Sequence, residues 1–147
     1  MLGPLVIGVC CIPDGATDLL LDQGVKDSKH LSPKKRQALE QWFHEQPIED
    51  GWFGTTVTLQ PATIDYALQG QGLNWLEVDG FREAILELPQ RSGMHIVADA
   101  CDVNAERFTK RITDGLNGWP WKGSSMISEH KADERHPVVS MACLLYT

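Results

Sequence analysis

Apolar positions along the chain fall into blocks whose spacing switches between two and about four residues, and the switches mark the elements. Residues 5–12 are continuous, apolar and rich in β-branched side chains, and Pro13-Asp14-Gly15 closes them, so they read as a buried strand ending in a turn. Residues 18–23 predict a short helical turn stopped by Gly24. Ser32 then stands as an N-cap with Pro33 at the first helical position; Leu39, Trp42 and Phe43 share one face as far as Glu45, and Pro47 ends the helix. Residues 52–59 alternate aromatic or β-branched side chains with small polar ones and predict a second strand.

Pro61 opens a brief helical turn through Ile64 and Tyr66, broken by Gly70 and Gly72. Leu73, Leu76, Phe81, Ile85 and Leu88 fit an amphipathic helix that Pro89 terminates. Residues 94–99 predict a strand, and 104–116 a helix with Phe108, Ile112 and Leu116 aligned every four residues. Residues 122–128 predict another strand, and 137–145 the start of an apolar helix. Strands alternating with helices point to an α/β sandwich around a mixed sheet.

Composition adds limits. The 147 residues suit a single domain. Hydrophobic residues at 42% and charged residues at 22% argue against disorder and coiled coil. With 20 acidic and 13 basic residues the net charge is −7, so contact with nucleic acid needs a local basic patch or a bridging metal. Cys10, Cys11, Cys101 and Cys143 show no C-x-x-C spacing and read as reduced thiols of a cytoplasmic protein; adjacent Cys10 and Cys11 should face opposite sides of their strand. The longest apolar run, residues 5–12, is far short of the ~20 residues that span a bilayer, so no membrane partner is expected. This run begins with no polar lead-in or cap, an abrupt opening that predicts a preceding segment of the same domain.

Two carboxylates stand where α/β proteins present chemistry. Asp99 directly follows the apolar run Ile96-Val97-Ala98, at a strand end that opens into a loop. Its bland alternative is a turn aspartate or a cap for the helix beginning near Asn104. Asp133, in Ser128-Glu129-His130-Lys131-Ala132-Asp133, follows the next strand; it either meets Asp99 across the sheet or merely caps a helix. Two converging carboxylates would hold a divalent cation through oxygen, as suits Mg2+ or Mn2+ at a phosphodiester. His130, alone beside a lysine, reads as a surface residue more readily than as a ligand. Lys26, Lys29, Lys34, Lys35 and Arg36, set against the single acid Asp27, form one dense basic patch suited to a phosphate backbone or simply a solvated face.

Five stretches in register resemble ribonuclease HII, most closely its archaeal-type branch. They are Gly3-Pro4-Leu5-Val6-Ile7-Gly8-Val9, the segment Gly24-Val25-Lys26-Asp27-Ser28-Lys29-His30-Leu31-Ser32-Pro33-Lys34-Lys35-Arg36, Leu73-Asn74-Trp75-Leu76-Glu77, Asp99-Ala100-Cys101-Asp102-Val103-Asn104-Ala105-Glu106-Arg107-Phe108, and Glu129-His130-Lys131-Ala132-Asp133. The resemblance implies a ribonuclease H-like mixed sheet flanked by helices. It implies an endonuclease that cuts the RNA strand of RNA–DNA hybrids, or duplex DNA with embedded ribonucleotides, using two Mg2+ or Mn2+ ions held by four acids. By motif, Asp99 matches the third acid and Asp133 the fourth, both catalytic and metal-binding. Asp102 is a candidate supporting residue behind them. Lys26, Ser28, Lys29, Lys34, Lys35, Arg36 and Lys131 are candidates for nucleic-acid contact, and the enzyme is expected to be a monomer.

The departures carry their own expectations. The family's first strand bears an Asp-Glu-Ala-Gly-Arg-Gly motif that supplies two acids and reads the ribose 2′-hydroxyl, and this sequence starts after it. Residues 138–147 resemble the family's Ser-Ala-Ala-Ser-Ile-Leu-Ala-Lys helix, with Cys143 in place of a serine and Thr147 in place of a lysine; Ala100 stands where a serine is common. The sequence therefore reads as one incomplete domain, lacking the central first strand and the C-terminal helices. Without that strand, residues 5–12 and 94–99 would face each other across a gap unless their edges pair directly. Each buried unpaired group would cost ~1–3 kcal/mol, making the chain marginal in stability. Two of four acids cannot hold a two-ion site, so the chain alone is expected to be inactive. The alternative is a non-catalytic remnant that binds nucleic acid or protein.

Overall fold

The computed structural model describes residues 4–25, 30–60, 73–89, 91–116 and 123–146. In chain order these form β1 (Leu5–Cys11), α1 (Thr17–Asp22), α2 (Pro33–His44), β2 (Phe53–Leu59), α3 (Leu73–Glu87), β3 (His95–Asp99), α4 (Ala105–Asp114), β4 (Ser125–Glu129), α5 (Ala132–Arg135) and α6 (Pro137–Leu144), with a 3-10 turn at Ile48–Asp50. The alternation of strand and helix is the expected one. The helical turn expected after Pro61 lies outside the described residues.

Local chemistry explains the helix starts. The Ser32 hydroxyl accepts the Lys35 N–H at 3.2 Å, and the Asn104 side-chain oxygen accepts the Arg107 N–H at 2.9 Å, so each cap satisfies one donor that the first turn leaves over. Gly24 ends the α1 segment at φ +94°, a conformation that a side chain would strain.

β1 pairs antiparallel with β2, Leu5 opposite Leu59 through Cys11 opposite Phe53. β3 pairs parallel with β4, His95 opposite Ser125 through Asp99 opposite Glu129. The mixed sheet thus occurs as two two-stranded halves, and β1 and β3 do not pair directly. A cavity of about 670 Å³ lies between them.

Period-two alternation assigns the faces of β1. Ile7 packs with Val57 and Ala84, and Val9 and Cys11 lie against the cluster of Val78, Ile85 and Phe108. Cys10 and Ile12 turn to the other face, toward Leu39, Phe43, Met141 and Leu144. The two cysteines therefore do face opposite sides, Cys10 bonding Val138 O and Cys11 bonding Gly51 O, each at 3.2 Å. None of the four cysteines is in a disulfide.

α3 and α6 hold the halves together. α3 packs on β1, β2 and α4, while α6 packs on β1 and β3. Gly8 lets β1 and α6 touch, since a Cβ there would sit 2.1 Å from Ala142 O.

Candidate functional site

Parallel pairing brings the C-terminal ends of β3 and β4 to one edge, the position from which open α/β sheets present functional groups. Asp99 and Glu129 are the last residues of their strands and stand opposite each other in register. The Ala100 N–H donates to Glu129 O at 2.9 Å, so the ladder continues just past Asp99. Lys131 then adopts φ 55°, the left-handed conformation, and turns the chain into α5, whose second residue is Asp133.

The two aspartates that the sequence singled out share a neighbour. Burial, first of all, raises the pKa of the Tyr146 phenol, and a hydrogen bond with Cys143 and the charges of Cys143, Asp99 and Asp133 raise it further. Asp99 and Asp133 thus both act on one phenol. Glu129 is engaged beside them, its Oε2 lying 3.0 Å from His136 Nε2 and 3.2 Å from the Arg135 guanidinium.

A second set of contacts braces this edge. Asp102 is only 5% exposed and accepts from Arg107 Nε at 2.8 Å and from the Asn104 N–H at 3.0 Å, with Arg111 at 3.7 Å. The Arg107 hydrogen bonds, then the Asn104 amide and the arginine charges, hold the Asp102 carboxyl well below the usual carboxylate range against the cost of desolvation. Arg111 also lies over the Trp75 ring, 4.4 Å from its centroid. His130 Nε2 is 2.7 Å from Asp102 O and joins the loop after β3 to the loop after β4. His130 is exposed, as expected, yet it ties together the segments that carry Asp99 and Asp133.

The remaining candidates are placed apart. Lys34 and Lys35 are exposed on α2, which packs against β2 and α6, and Arg36 is half-buried there with its Nε lacking a partner. Lys131 is exposed at the turn into α5. Lys26, Ser28 and Lys29 lie outside the described residues. Among the described residues no three His, Cys, Asp or Glu side chains come together in an arrangement able to hold a metal ion.

Sequence reasoning missed Glu129, His136 and Tyr146. Ending the strand at Ser128 put Glu129 into the loop, although its place as the residue opposite Asp99 follows once the two strands are paired by their ends.

The sequence profile described as Ribonuclease HII matches residues 1–145. The chain belongs to the ribonuclease HII family. It is 38% identical to Ribonuclease HII of Methanococcoides burtonii over 147 residues, covering 99% of this chain and 66% of that protein. The crystal structure of ribonuclease H2 from Pyrococcus horikoshii superposes with a TM-score of 0.79 at 33% identity, over 97% of this chain and 63% of that one. The ribonuclease HII of a PCNA:RNase HII complex from Archaeoglobus fulgidus follows at 0.74 and 27%, over 97% and 62%. The ribonuclease H-like α/β architecture is therefore present, and the chain spans about three fifths of the length of such relatives.

Proposed function

We propose that the chain carries half of the metal-binding carboxylates of an endonuclease acting on the RNA strand of RNA–DNA hybrids or on ribonucleotides embedded in duplex DNA. The supporting observation is that, in a member of this family, Asp99 ends β3 while Asp133 follows the end of its parallel neighbour β4 at the same sheet edge. Their oxygens fit hard divalent cations, Mg2+ or Mn2+. Such ions, when bound, supply an activated water and stabilise the departing 3′-oxygen. Asp99 is fixed by the β3–β4 ladder, and Asp133 is presented by the turn at Lys131. Asp102 acts through position, holding the loop after Asp99 onto Arg107 and His130. Lys131 and the patch Lys26, Ser28, Lys29, Lys34, Lys35 and Arg36 would meet the phosphate backbone, with binding that weakens as salt rises.

Two carboxylates are too few for a two-ion centre, and the described residues bring no third ligand to them. The purified chain should therefore cleave a labelled RNA–DNA hybrid little or not at all with Mg2+ or Mn2+. It should still bind Mn2+ weakly, as read by electron paramagnetic resonance. Asp99→Asn and Asp133→Asn should each weaken that binding roughly tenfold, as expected when one of two charged oxygen ligands is lost. Unchanged Mn2+ affinity in both variants would sink the site. Brisk cleavage abolished by Asp99→Asn would keep the nuclease reading and overturn the expected inactivity. Salt-sensitive hybrid binding with neither metal binding nor cleavage would favour the non-catalytic remnant.

A further inference from the structure

Beside the candidate carboxylates lies a surface that their chemistry does not use. The chain leaves Asp99 and passes through Cys101, Asp102 and Val103 before α4 begins. Val103 is 91% exposed, and Trp75, in the first turn of α3, is 37% exposed. One such side chain alone is ordinary on a protein surface. Here contacts draw the segments together. The Cys101 thiol donates a hydrogen bond to Glu77, two residues after Trp75, and the Arg111 guanidinium of α4 lies 4.4 Å from the Trp75 ring centroid.

The charge of this surface follows from its pairings. The buried Asp102 carboxylate meets two guanidiniums, Arg107 at 2.8 Å and Arg111 at 3.7 Å, so the group keeps a net positive charge. Arg107 gives Nε and Nη2 to Asp102, yet its side chain is 46% exposed. A guanidinium has five N–H donors and so retains capacity for an acceptor from outside. His130, bonded to Asp102 O, brings the turn with the exposed Lys131 to the same loop. Of the acids, Glu77 is engaged by Cys101, and Glu106 stands about 100° round α4 from Arg107. Local positive charge on a chain of net charge −7 selects an anionic ligand.

The apolar groups narrow the choice of anion. A free phosphate or carboxylate would use the cations and leave the indole and the valine in water. A nucleic-acid strand uses both kinds of group: phosphates meet Arg107 and Lys131, a base stacks on the exposed part of Trp75, and a sugar or thymine methyl covers Val103. The stacking base needs an open face. Bases inside a duplex are covered on both sides by their neighbours, so the strand is single. Val103 is four residues from Asp99 and at most about 14 Å away, which is about four base steps at 3.4 Å each.

We propose that Trp75, Val103, Arg107 and Arg111 form a binding surface for single-stranded nucleic acid, which grips an unpaired flank a few base steps from Asp99. That this flank belongs to the strand being cut rests on the nuclease reading; the surface itself does not.

The test is fluorescence anisotropy of a labelled twelve-nucleotide oligothymidylate with the 147-residue chain at low salt in EDTA. The probe is DNA and no metal is present, so failure of the carboxylate site leaves this measurement untouched. Trp75→Leu keeps apolar bulk without a π-face and should weaken binding about five- to a hundredfold, the range one stacked base is worth. Trp75→Phe keeps a ring and should stay within about threefold of the original affinity. Val103→Asp changes a side chain too exposed to disturb folding and should weaken binding severalfold by repelling phosphate. No binding by the unaltered chain overturns the proposal, as does unchanged affinity in Trp75→Leu or Val103→Asp. Equal losses in Trp75→Leu and Trp75→Phe overturn it too. Equal affinity for a blunt duplex, whatever stands at position 75, would assign the contact to phosphates alone and overturn stacking. A dimer in sedimentation that Val103→Asp breaks, with the oligonucleotide unbound, would make a second copy of the chain the occupant instead.

Discussion

The β1–β2 half and the β3–β4 half solve different problems. The first pairs seven residues antiparallel and backs them with Phe43, Trp42 and Trp52, whose rings meet edge to face at 5.7–5.8 Å. Its interior is apolar mass. The second pairs five residues parallel, leaves Ile127 half-exposed on β4, and braces its loops with a buried carboxylate and two arginines. The half that presents the aspartates is thus shorter and more dependent on polar contacts. α3 and α6 pack across both halves, and Arg91, just before β3, ties the second half to the turn before β2 by donating to Ile48 O and Glu49 O.

The largest test of that division removes one buried ring from each side. Phe43→Ala and Phe108→Ala should each cost about 3–5 kcal/mol in urea unfolding, because both side chains are almost wholly buried. Since α3 and α6 bridge the halves, exchange at β2 and at β4 should rise together in either variant. If only the mutated half loosened, the two would be independent units.

A smaller effect is expected at the seam. Gly8→Ala places a methyl group against Ala142 O and should cost about 1–3 kcal/mol as β1 is pushed off α6. An unchanged urea midpoint would mean that α6 yields there easily.

Acid sharpens the contrast further. The folded pKa of Asp102 is depressed, so its contribution is complete above the unfolded value near 3.9 and is lost as pH falls through the lower folded one. Below about pH 4 the loop after β3 should loosen before β1–β2 does, read as earlier exchange at residues 100–104. Arg107 is half-exposed, so solvent screening keeps the effect modest. In Asp102→Asn this acid step should vanish; its persistence would assign the step elsewhere.

The smallest changes are at the caps. Ser32→Ala in one half and Asn104→Ala in the other should each lower stability by about 1 kcal/mol in thermal melts. A clearly larger loss for Asn104 would show that its cap supports the whole Asp102 cluster.

Much of this was legible in the sequence because it is local. Ser32 and Asn104 announce helix starts, Pro47 and Pro89 announce ends, and alternation sends Cys10 and Cys11 to opposite faces. The place of Asp99 at the end of β3 follows from the apolar run Ile96-Val97-Ala98 before it. What was hidden is nonlocal. The split of the sheet depends on distances between segments about 90 residues apart, which no periodicity encodes. Glu129 escaped because strand ends are blurred by a residue or two until a partner fixes them. The bond from His130 to Asp102 escaped because a histidine beside a lysine looks the same whether or not its ring reaches another loop.

Lys131 ends with a trade-off built into one backbone angle. A side chain in the left-handed region costs roughly 1–2 kcal/mol that glycine would not incur. The chain keeps a cation where the most relaxed residue has no side chain at all, directly before the helix that carries Asp133. At this turn, tolerance of heat and the placing of a positive charge pull in opposite directions, so a family of variants selected for thermal robustness alone would drift toward losing the charge.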